Sequence, residues 1–120
     1  MKKELIGFSF KNKKINFKVE AYKVPKWKEG IGLMFSRRKN AKALLFEFKK
    51  PTKMAIHSYF VFFPFAAVWL NKNNEVVDFR RVKPFEFRIS PSEKFVKLIE
   101  IPETLAYNFL KFPTGKERFK

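Results

Sequence analysis

Residues 57–82 read HSYFVFFPFAAVWLNKNNEVVDFRRV, and this segment sets the architecture. From Tyr59 to Leu70 there is no charged side chain, and Pro64 divides the run. A proline cannot donate to a sheet ladder, so Tyr59–Phe63 and Phe65–Leu70 are not one regular strand. Asn71-Lys72-Asn73-Asn74 is turn-forming, and Glu75–Val82 then alternates apolar with polar. The pattern predicts a hairpin of Phe65–Leu70 and Glu75–Val82, buried at the centre of the fold.

The flanking sequence repeats the period of two. Ile6, Phe8 and Phe10 alternate with small residues, and Ile15, Phe17, Val19 and Ala21 alternate with polar ones across Lys11–Lys14. That predicts a hairpin with one dry and one wet face, joined by a loose loop. Val24-Pro25 stops its second arm, and Pro25 suits the first turn of a short helix ended by Gly30 or Gly32. Leu44, Phe46 and Phe48 mark another strand, with a turn expected at Lys50-Pro51-Thr52-Lys53. Met54–Ser58 reads as a short strand. Phe85, Phe87 and Ile89 alternate again, Ser90-Pro91-Ser92 turns the chain, and Phe95–Ile101 is the last strand. A short helix is expected from Pro102-Glu103 through Leu110, and residues 113–120 form a polar, frayed tail. Seven or eight short strands with frequent turns predict a mainly β domain, a compact β-sandwich or barrel with one or two short helices.

With 120 residues the chain suits one domain, residues 1–120, able to bury a core without staples. There is no cysteine, so disulfides, thiol nucleophiles and thiolate metal sites are excluded. One histidine, one aspartate and no glutamine leave little for a catalytic triad or a metal centre, and no catalytic residue, metal or cofactor is assigned. Enzymatic activity is not the expectation. The Met54–Leu70 run reaches the lower length of a membrane helix, but His57, Ser58, Pro64 and crowded aromatics favour buried strands. No signal peptide is visible, and a cytoplasmic location is expected.

The net charge is +16 and is uneven: +12 over residues 1–53, −1 over 54–79 and +5 over 80–120. Such a surface favours a polyanion, either nucleic acid or an anionic membrane face. Abundant Lys, Ile, Phe and Asn also fit the nucleotide bias of an AT-rich genome, and the lack of Gln and Cys fits a heat-loving source, either of which would make the charge incidental. The candidate anion site is the Ser36–Lys42 loop, SRRKNAK. Arg37, Arg38 and Lys39 are suited to phosphate or carboxylate, and Trp27 offers a stacking face. His57 is the remaining candidate ligand contact. Asp78 is expected to be solvated, and Glu47 and Glu100 to face outward beside lysines. Two readings stand: a small basic binding module for an anionic ligand or nucleic acid, and a structural or interaction protein with a compositionally basic surface. An enzyme using His57 with Glu47 or Glu100 is a third.

Six motifs in order carry a family resemblance: Gly32-Leu33-Met34 followed by Arg37; Leu45-Phe46-Glu47-Phe48; the His57–Trp69 run with Val61-Phe62-Phe63-Pro64; Asn73-Asn74-Glu75-Val76-Val77; Lys83-Pro84; and Ile99-Glu100-Ile101-Pro102. In these the chain resembles domain of unknown function 192, especially its archaeal members, over roughly residues 15 to 105. The resemblance implies a jelly-roll-like β-sandwich with a short helix at the Gly-Leu-Met motif, and no chemistry. The family pattern has Asp where this chain has Ala66, and Gly after the proline where Glu103-Thr104 follow here.

Overall fold

The computed structural model describes residues 2–10, 16–25, 42–58 and 60–103. Its strands are β1 (Lys2–Phe10), β2 (Asn16–Lys23), β3 (Leu44–Thr52), β4 (Phe65–Leu70), β5 (Glu75–Val82) and β6 (Phe95–Pro102). All belong to one sheet in the order β1-β2-β3-β6-β4-β5, and pairing of β5 back to β1 closes the circuit. β1 and β2 form the predicted hairpin, with Ile6 opposite Val19 and Phe8 opposite Phe17. β4 and β5 form the other, in register from Phe65↔Val82 to Trp69↔Asp78, with a bulge before Leu70↔Val76. Asn71 builds its turn: Oδ1 accepts from the N–H groups of Asn73 and Glu75, Nδ2 donates to Glu75, and Asn74 takes the left-handed conformation that asparagine tolerates. The last strand in sequence, β6, inserts between β3 and β4 and is antiparallel to both. The first hairpin joins the rest by two short parallel seams, Tyr22–Lys23 on Leu44–Leu45 and Ser9–Phe10 on Glu75–Val76.

Two apolar clusters lie on opposite faces of this sheet. The inner one draws from all six strands: Ile6 and Phe8, Val19 and Ala21, Leu45, Val68 and Leu70, Phe79, and Ile99 and Ile101. The outer one uses the alternate residues of the four strands β3, β6, β4 and β5, namely Leu44, Phe46, Leu98, Phe65, Ala67, Trp69 and Val82. The turns on either side of β4–β5 cover it with Val61, Phe63 and Ile89. β4 and β6 are therefore buried on both faces, which explains why Phe65–Leu70 lacks the alternation seen in β1 and β2.

The mainly β expectation holds, and the jelly-roll-like sandwich reduces to a coarser result, one six-stranded sheet. Four elements differ from the sequence reading. Residues 54–58 make only the isolated bridge Ile56↔Ile89. Phe85–Ile89 is not a strand, because Phe85 has φ 60° and turns the chain. Pro51 lies inside β3, where the register shifts between Glu47 and Thr52, the kind of irregularity at which a sheet tolerates proline. Pro102 ends β6 instead of opening a helix. The remainder of that helix, the one expected after Pro25, the Gly-Leu-Met motif and the 113–120 tail lie outside the described residues. Among the described residues no helix is long and apolar enough to cross a membrane.

Candidate binding surface

Of the sequence-predicted site residues, Trp27, Arg37, Arg38 and Lys39 lie outside the described residues. His57 is described. It is half-buried, next to the Ile56–Ile89 bridge, which puts it opposite Arg88 in register.

The residue after it organises the surface. Ser58 is fully buried. Its Oγ donates to the Lys83 carbonyl at 2.6 Å and accepts the Glu86 N–H at 2.6 Å. Its N–H donates to the Glu86 carbonyl, and its own carbonyl accepts from Val61 and Phe85. One serine thus ties the 58–63 turn to the 83–87 turn. In both turns a phenylalanine is held at positive φ, Phe60 at 55° and Phe85 at 60°. A bulky residue there costs on the order of 1–3 kcal/mol and persists only where its surroundings enforce it.

The strain has a result. Val61, Phe63 and Ile89 point into the outer core, and the intervening residues point out: Phe60 is 47% exposed, Phe62 62%, Phe85 47% and Phe87 72%. The Phe85 ring meets Phe62 edge-on at 5.3 Å between centroids and Phe60 at 6.2 Å. Solvent-exposed Lys83 and Arg88 flank these rings, and Lys49, Lys50 and Lys53 are exposed where β3 leads into the segment. Sequence reasoning missed this patch because phenylalanine is so abundant in the chain that composition does not separate surface rings from core rings. The usable signal was the Phe62-Phe63-Pro64 and Lys83-Pro84-Phe85 punctuation on either side of the β4–β5 hairpin.

The acidic residues divide. Glu47 pairs with Lys23 at 2.7 Å, as expected for an outward glutamate, and the contact raises the Lys23 pKa. Asp78, expected in solvent, is buried; its two carboxylate oxygens accept from Phe79 N–H at 2.8 Å and Ser92 N–H at 2.9 Å, pinning the 90–92 turn. Glu100 is also buried, and removal from water alone pushes its pKa up to about 8. Both expectations failed for one reason: each side chain does point away from the inner core, but the outer face is covered too. Ala66, at the position of the family's aspartate, is partly buried and packs on the inner cluster.

Fold and surface together define a small mainly β domain that presents an aromatic and basic patch. The chain belongs to the family described as "Uncharacterized ACR", domain of unknown function 192, which matches residues 8–109. Two solved structures are similar in fold. One is a protein of Sinorhizobium meliloti 1021 provisionally described as a transcription regulator, with TM-score 0.71 and 17% identity, covering 84% of this chain and 81% of that one. The other is a protein of unknown function from Novosphingobium aromaticivorans DSM 12444, with TM-score 0.66 and 12% identity, covering 88% and 77%. No curated protein matches the sequence.

Proposed function

We propose that this protein is a non-enzymatic cytoplasmic binding module for single-stranded nucleic acid. The observation that carries the reading is the interleaving of four exposed phenylalanines, held out by strained turns, with the basic side chains Lys83 and Arg88. Bases stack on aromatic faces whatever their identity, while cations track the phosphates, and the two together make a sequence-tolerant site. The net charge of +16 adds long-range attraction. Arg37, Arg38 and Lys39 are assigned as further phosphate contacts, with Trp27 and His57 as base contacts. The description of the Sinorhizobium protein, which concerns that protein, is compatible with a nucleic-acid partner.

The competing reading, charge set by composition, draws support from the exposed lysines on other parts of the surface, such as Lys2, Lys3, Lys18 and Lys72. Fluorescence anisotropy with labelled single- and double-stranded oligonucleotides across a salt series separates them. The expected result is binding that weakens steeply with salt, with the double variant Phe62→Ala/Phe87→Ala losing on the order of tenfold or more on single strands. No binding at low salt would leave the charge as compositional, and single-strand binding that the double variant does not weaken would remove the phenylalanine patch from the site.

A further inference from the structure

The outer face of the sheet contains a row that does not belong in an apolar core. Leu44 on β3, Glu100 on β6, Ala67 on β4 and Arg80 on β5 are successive partners in the ladder, so they lie side by side across four strands. Ladder partners share a face, and Leu44 and Ala67 both belong to the outer cluster. The rows next to it are Phe46, Leu98, Trp69 and Asp78 on one side, where the Asp78 carboxylate is held by the Phe79 and Ser92 N–H groups, and Phe65 and Val82 on the other. In the middle row the floor is an alanine, with a carboxyl on one side and a guanidinium on the other. With neighbouring strands about 4.8 Å apart, Glu100 and Arg80 are roughly 10 Å apart at the backbone.

Neither polar group is used up by the protein. Glu100 is only 5% exposed and has no hydrogen-bond or ion-pair partner among the described residues. Arg80 is half-exposed and approaches Glu86 no closer than 3.9 Å, with no hydrogen bond among the described residues. A third group points the same way. Trp69, the next outer-face residue along β4 from Ala67, is fully buried, and its indole N–H has no acceptor among the described residues. Buried polar atoms in folded proteins are nearly always satisfied, and those that are not call for a water, an ion or a ligand. Two such groups stand diagonal to one another on one pair of strands, beside a side chain trimmed to a methyl.

We propose that the Glu100–Ala67–Arg80 row is a binding site for a small zwitterion of the α-amino-acid class. The ligand's carboxylate meets the Arg80 guanidinium and supplies the acceptor that the Trp69 N–H lacks. Its ammonium meets the Glu100 carboxyl group, which gives up its proton to solvent as the cation binds. Ala67 is the floor, and a larger residue there fills the site. Charge complementarity selects this class: a simple anion leaves Glu100 unsatisfied, and a simple amine leaves Arg80 and Trp69 unsatisfied. The site is separate from the phenylalanine patch and does not depend on nucleic-acid binding.

The test is isothermal titration and thermal denaturation of the full chain with each of the common α-amino acids, and with acetate and ethylamine as half-ligands. At least one amino acid is expected to bind with one-to-one stoichiometry and raise Tm, while neither half-ligand does. Glu100→Gln and Arg80→Ala should each weaken binding on the order of tenfold or more, and Ala67→Leu should abolish it, with circular dichroism confirming the fold. Arg80→Ala, at a half-exposed position, keeps the test decisive if Ala67→Leu does not fold. The proposal is overturned if no amino acid binds, if a half-ligand binds as well as the whole, or if binding survives Glu100→Gln and Arg80→Ala.

Discussion

The two faces of the sheet are built from the same strands and differ in kind. The inner face takes side chains from all six strands, and every member of its cluster is apolar. The outer face draws chiefly on four strands, with Tyr22 and Val24 at the end of β2, and is closed by irregular turns. It contains a buried glutamate and a buried aspartate, an arginine, an indole N–H without an acceptor among the described residues and, in the covering turns, two phenylalanines in strained conformations. Burial is nearly as complete on both, so burial alone does not tell stability from function. Polar groups and backbone strain concentrate on the outer face. Such features cost free energy, and the inner face, free of them, supplies the surplus that offsets that cost.

Substitutions can sharpen or break this division. The largest effect is expected inside. Ile99→Ala removes a fully buried side chain from the inner cluster and should cost about 3–5 kcal/mol by urea denaturation; a loss below about 1 kcal/mol would mean that the inner face is not the main source of stability. Next comes Ser58→Ala on the outer cover, which deletes the two Oγ hydrogen bonds and leaves Lys83 O and Glu86 N short of a partner. A cost of about 2–3 kcal/mol is expected, together with weakened nucleic-acid binding as the phenylalanine turns loosen. Full stability with weakened binding would assign the serine to the patch alone.

A third substitution separates the faces by pH. Burial raises the Glu100 pKa to about 8 in the folded protein, while in the unfolded chain it stays near 4.5. The folded form therefore holds the proton that the unfolded form has released, and Glu100 makes stability fall as pH rises from about 4.5 to about 8, at up to about 1.4 kcal/mol per unit. Below that window both states are protonated, and above it both are ionised. In Glu100→Gln this contribution vanishes, so the difference in stability between variant and parent should grow in favour of the variant across the window and then level off. Parallel pH profiles for the two proteins would show that the carboxyl is solvated after all.

Much of this was legible in the sequence, and the losses have a common origin. β1, β2 and the β4–β5 hairpin were readable because Ile6/Phe8, Val19/Ala21 and the Asn71–Asn74 turn give alternation and punctuation. Alternation reports that a strand has two faces. It does not report that both are covered, which is why Asp78 and Glu100 were placed in water. Phe85-Phe87-Ile89 shows the same limit from the other side: the period of two was real, with Ile89 anchored and the phenylalanines outward, but the backbone was a bridge and a turn. The aromatic patch depends on Ser58, which reaches Lys83 and Glu86 across more than twenty residues. Contacts of that range leave no local mark.

The two parallel seams carry a kinetic consequence. The β1–β2 hairpin is local and forms on the microsecond scale, but its attachment to β5 joins residues more than sixty positions apart through two ladder pairs among the described residues. Little is gained until that closure is complete, so the circuit should close last during folding and open first during native fluctuations. Until it closes, a preformed hairpin and the remaining sheet each present an unpaired edge of complementary length. Two chains in this state can exchange hairpins and satisfy both seams, so the arrangement that closes one molecule on itself also offers a route to a domain-swapped pair at high concentration.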